Sequence, residues 1–109
     1  MRNTIKELQE ANPENFEEFF PLYLSAHSNI ANRWLHFIGA TIALLLIPVA
    51  IVLDNYLILL LCPLFGYGLA WFGHFFLESN IPASYRNPLW SIRGDFRMYI
   101  MMCQGKLWS

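Results

Sequence analysis

Two apolar runs without a single charged residue, Trp34–Leu53 and Tyr56–Leu77, constrain this chain more than anything else in it. A helix rises 1.5 Å per residue, so each run is long enough to cross the roughly 30 Å hydrocarbon core of a bilayer. Only Asp54 and Asn55 separate them. The runs therefore predict a helical hairpin, because a lipid-embedded segment must satisfy its own backbone groups. Pro48 predicts a kink, and Gly39 and Thr41 allow close helix contact. The competing fold, two buried helices of a soluble protein, is disfavoured because runs this long and apolar are rare there.

Composition agrees. Hydrophobic residues make up 56% of the 109-residue chain and charged residues 14%, against about 25% charged in an average soluble domain. One domain, residues 1–109, is the expectation at this length. A net charge of −1 argues against a nucleic-acid partner. Cys62 and Cys103 supply neither a disulfide framework nor a structural zinc motif. The acidic stretch from Glu7 to Glu18 does not resemble a cleavable signal peptide. The lysines and arginines all lie outside the hairpin turn, so both termini are expected on the cytoplasmic side. The host membrane is expected to be a bacterial inner membrane rather than the endoplasmic reticulum.

The flanks predict further helices. Met1–Ala11 reads as a short surface helix. Asn12-Pro13-Glu14 carries a helix-start signal. Phe16, Phe19, Phe20, Tyr23, Leu24 and His27 then fall on one helical face. That amphipathic helix suits a bilayer surface or a helical neighbour, with Pro21 kinking or restarting it. Ser79–Pro88 reads as a loop over the cytoplasmic end. Leu89–Arg97 reads as an interfacial segment, with Asp95 as the cap of a last helix over Met98–Leu107. The expected fold class is thus an all-α membrane protein: a two-span hairpin with an N-terminal amphipathic helix and a C-terminal interfacial helix.

The hairpin makes a geometric prediction. His36 and His74 lie about 27 and 30 Å from the turn at Asp54, hence at nearly the same depth. His27 reaches that end from the amphipathic helix, provided the chain bends across Ser28–Asn32, where Asn29 and Asn32 are candidate caps. His74 and Glu78 are one helical turn apart and can share a metal ion or form a hydrogen-bonded pair. Ionisable groups at membrane depth are functional suspects. The plainer alternative is that the histidines are interhelical hydrogen bonds in a non-catalytic hairpin that assembles with itself or a partner protein. Imidazoles suit iron, zinc and copper, and a nearby carboxylate moves the choice toward iron or zinc. Two or three histidines, with or without Glu78, leave open positions, as in non-haem Fe(II) oxygenases. A b-type haem between His36 and His74 is a further possibility, whereas a serine hydrolase is not, since no G-x-S-x-G occurs.

Two segments carry a family resemblance: Tyr23–Gly39, with its His27-x8-His36 spacing, and Trp71–Ala83, with Gly73-His74 followed by Glu78, Pro82 and Ala83. Pro88–Met98 extends it. Together they resemble the Mpo-like family of multi-pass membrane proteins. The resemblance implies an Fe(II)-dependent dioxygenase that shortens a 2-hydroxy fatty acid by one carbon, using O2 and releasing CO2. It implies His27, His36 and His74 as the essential residues and so as metal ligands; Glu78, one turn from His74, is the expected fourth ligand or supporting partner. A 2-hydroxy carboxylate can chelate iron through both oxygens. Arg86 or Arg93 is the expected contact of the substrate carboxylate. Lipid is the expected surroundings, and so small a chain is expected to pair as a homodimer to enclose its substrate.

Overall fold

The computed structural model describes residues 2–108. Among these residues the chain is helical and contains no strand, only an isolated bridge between Arg2 and Asn80. The predicted N-terminal helix is α1, Thr4–Ala11 (Met1 lies outside the described residues). The next helix, α2, covers Phe16–Ser25 rather than starting at Pro13. The capping residue is Asn15, whose side chain accepts from the Glu18 amide. Asn12 instead ends α1 in a left-handed conformation, φ 46°. Phe16, Phe19, Phe20 and Tyr23 of α2 are buried with Leu8 and Met98, so this face packs on protein. The helix runs through Pro21, which is exposed.

The hairpin forms as predicted. Helix α3 covers Ile30–Val52, capped by the Asn29 side chain. Asp54, at φ 49°, makes the turn. The second arm is continuous but changes winding: a 3-10 turn at Tyr56–Leu60, helix α4 at Leu61–Phe72, and a π turn at Gly73–Glu78. Each arm spans 23 residues, and only 17% and 11% of their most apolar stretches are buried. A core helix of a soluble protein would be mostly buried. Here Leu45, Ile51, Val52 and Leu60 are more than half exposed, an apolar belt that water does not tolerate at this size. Both arms are thus long and apolar enough to cross a membrane.

The C-terminal region differs from expectation. One helix, α5, runs from Pro88 to Cys103, with proline at its start, where a missing amide hydrogen costs nothing. Asp95 therefore lies inside α5 and caps nothing. Its carboxylate accepts from the Tyr23 hydroxyl on α2, which aligns α5 with the amphipathic helix. The Tyr99 hydroxyl meets Thr41 on α3 at 2.8 Å, tying α5 to the hairpin. The stretch between the π turn and α5 holds a 3-10 turn at Ala83–Tyr85.

Candidate metal centre

Three elements deliver the histidines to one point. His27 follows α2, in the bend that Arg33 holds by donating to the His27 carbonyl at 2.6 Å. His36 projects from the second turn of α3, and His74 from the π turn. All three are buried. Their ring centroids lie 4.5, 4.5 and 5.1 Å apart, with planes inclined at 80 to 87°. The Nε2 atom of His27 is 3.1 Å from that of His36 and 3.0 Å from that of His74.

The other ring nitrogens determine what these contacts are. Nδ1 of His27 lies 2.6 Å from the Tyr23 carbonyl, and Nδ1 of His36 lies 2.9 Å from the Asn32 carbonyl. Nδ1 of His74 lies 2.7 Å from Asn80 Oδ1. Asn80 is oriented by its own amide, which donates to the Ala26 carbonyl at 2.9 Å. Each partner oxygen is an acceptor only, so each Nδ1 carries the ring hydrogen. A neutral imidazole has one hydrogen, which leaves a lone pair on each Nε2, that of His27 meeting those of His36 and His74. Neutral histidines cannot bridge one another in that arrangement, but a shared cation satisfies all three.

The two His27 separations fit a metal ion, and the three ligand atoms all lie within 4.8 Å of one another. Nitrogens about 2.0–2.1 Å from a common ion, and about 90–110° apart there, lie roughly 2.9–3.4 Å from each other. A ring N–H held by a carbonyl while the other nitrogen ligates is the usual outer support of a metal-bound histidine. Burial, reinforced by His36 and His74, holds the His27 imidazole well below its ordinary pKa of 6.5. It therefore stays in the neutral, ligating form. The trio is the one His/Cys/Asp/Glu grouping among the described residues with metal-binding spacing.

Glu78 is not part of it. Its carboxylate sits over the start of α3, accepting from the Asn29 amide at 2.5 Å, Asn32 Nδ2 at 3.3 Å and Ser28 Oγ at 3.1 Å. A negative charge at a helix N-terminus is stabilising. Arg86 donates to Asn87, and Arg93 lies 4.2 Å above the Phe16 ring. Neither arginine reaches the histidines. Sequence reasoning passed over Asn80, which lay in an apparent loop, and over the Tyr23–Asp95 pair, 72 residues apart. Tyr23 also stacks on His27 at 4.0 Å.

Substituting Asn80 by alanine removes the acceptor that orients His74 and leaves the Ala26 carbonyl without its donor. Metal affinity is expected to fall about 10–100-fold, measured by competition with a chelator. Unchanged affinity would show that Asn80 does not support the site.

An apolar groove of about 300 Å³ leads away from the histidines between α3, α4 and α5. Ala40, Ala43, Gly66, Ala70, Ile92 and Tyr99 line it, and His36 and Asp95 stand at its polar end. A smaller chamber of about 20 Å³ adjoins it, bounded by all three histidines.

Compared with models of known protein families, residues 13–107 match one described as 2-hydroxy-palmitic acid dioxygenase Mpo1-like. No curated protein matches the chain, and no solved structure does.

Proposed function

This chain belongs to the Mpo1-like family, and from that premise we propose that it is an Fe(II)-dependent dioxygenase that cleaves 2-hydroxy fatty acids to the acid one carbon shorter and CO2. The observation that carries this reading is the convergence of three unprotonated Nε2 atoms at the polar end of an apolar groove. His27, His36 and His74 would be the ligands. Three imidazoles leave positions open for a chelating 2-hydroxy acid and for O2, as in non-haem iron oxygenases. When bound, Fe(II) supplies the redox centre for oxidation by dioxygen.

The remaining work falls to the chain's own residues. Tyr23, Asn32 and Asn80 hold the Nδ1 hydrogens and so keep each Nε2 free to ligate. Glu78 acts as a positioning residue, fixing the start of α3 and with it Asn32 and His36. The groove takes the acyl chain and excludes water from it. One helical domain over residues 1–109 carries both parts. It lies in a bilayer, with both termini on the cytoplasmic face of a bacterial inner membrane. A second copy of the chain would cover the open side of the groove.

The test is turnover of 2-hydroxypalmitate by anaerobically purified, iron-loaded protein on admitting oxygen, with the shortened acid and CO2 as products. Gly66→Phe refines it. A Cβ at Gly66 meets nothing within 4 Å, so the new ring fills groove rather than displacing backbone. The KM for long-chain 2-hydroxy acids is expected to rise by about tenfold or more, with iron content retained. An unaltered KM would place the acyl chain elsewhere.

A further inference from the structure

Two serines line the small chamber beside the histidines, and neither hydroxyl has a partner among the described residues. Ser91, on the first turn of α5, is 4% exposed, and its Oγ has no hydrogen-bond partner among the described residues. Ser84, a half-buried residue in the 3-10 turn at Ala83–Tyr85, likewise has an enclosed Oγ with no partner among the described residues. Both serines line the chamber together with His27, His36, His74 and Asp95. Buried hydroxyls are ordinarily paired, because leaving one unmade costs the full desolvation of the group. Packing alone gives no reason for two unpaired hydroxyls to meet at one chamber.

The chamber's position suggests what they bind. It shares His36, Ile92 and Asp95 with the wall of the groove, so the two spaces adjoin and one end of a bound molecule can reach it. A volume of about 20 Å³ admits one water-sized group, such as a single oxygen of a carboxylate whose carbon lies at the mouth. No arginine or lysine lines either space, and the one acid on their walls, Asp95, accepts from the Tyr23 hydroxyl. A carboxylate is an acceptor-only group, and serine hydroxyls can donate to it. We propose that Ser84 and Ser91 bind the carboxylate of the acid whose alkyl chain occupies the groove, in the role that sequence alone assigned to Arg86 or Arg93. This inference rests on the reading of the chain as a 2-hydroxy acid dioxygenase.

The experiment compares wild type, Ser84→Ala/Ser91→Ala and Ser91→Thr, each iron-loaded as the full chain in lipid nanodiscs. Equilibrium binding of radiolabelled 2-hydroxypalmitate and of the 1,2-diol of the same chain length is measured beside iron content and turnover. The double alanine variant is expected to bind the acid about tenfold or more weakly. Its affinity for the diol and its iron content stay unchanged, and Ser91→Thr, which keeps a hydroxyl, binds the acid as wild type does. Equal losses for acid and diol, or no loss, overturn the proposal even where wild type turns the acid over. Selective loss of acid binding without turnover in wild type upholds the carboxylate site and removes the dioxygenase reading. Absence of acid binding in wild type overturns both.

Discussion

Replacing His36 or His74 by alanine is expected to take bound iron from about one ion per chain to nearly none, with helical content retained. Each histidine contributes one of three converging Nε2 atoms. Two imidazoles do not hold a divalent ion against dilution as three do, and turnover disappears with the metal. Elemental analysis and circular dichroism on anaerobically purified protein measure the two quantities together. A purely structural trio makes the opposite prediction. It holds no stoichiometric metal in wild type, and alanine lowers stability rather than metal content. The hydrogen-bond pattern favours the first outcome, because every Nδ1 already donates to an oxygen and none of the neutral rings has a second hydrogen to offer its neighbours. Visible absorption of the same samples checks for a b-type haem.

Gly73→Ala is the second substitution with a large expected effect. A Cβ there would fall 1.8 Å from Asn32 Oδ1 and 2.7 Å from its Cγ. Asn32 is fully buried and donates to Glu78, so it has no room to turn aside. Relief requires α3 to move away from the π turn, which separates His36 from His74. A destabilisation of about 3 kcal/mol is expected, toward the upper end of overpacking costs. Unfolding in mild detergent measures it, and metal affinity falls in parallel. Asn32→Ala in the same chain removes the obstructing atoms, leaving the new methyl about 3.4 Å from the remaining Cβ. The double variant is therefore more stable than Gly73→Ala alone, a coupling between neighbours that separate effects would not produce. Full stability of Gly73→Ala by itself would mean that the close crossing of α3 and the π turn is not needed.

Much of this fold is readable from local signals. The uncharged runs define the hairpin, and the apolar stripe from Phe16 to Tyr23 defines the buried face of α2. Helix rise alone puts His36 and His74 at one depth, where their rings lie 5.1 Å apart. Signals weaken where two motifs compete. Asn12 and Asn15 both precede acidic residues, and the cap fell to Asn15 because Asn12 was already ending α1. Gly94-Asp95 resembles a helix start, yet it lies mid-helix because Pro88 had begun α5 two turns earlier.

The sequence by itself determined that the chain forms a helical hairpin with three histidines at one end, since length, hydropathy and helical rise are properties of each segment taken alone. Only the tertiary structure decided which atoms of those histidines face one another. The Nδ1 partners are local, since Tyr23, Asn32 and Asn80 lie only four to six residues from the rings they hold, but the Nε2 atoms that meet belong to residues 9 and 47 apart. The same packing drew Glu78 to the start of α3 and placed Ser84 and Ser91 beside the chamber. Polar contacts act over about 3 Å, so those between distant residues are settled only after helices far apart in the chain have packed together.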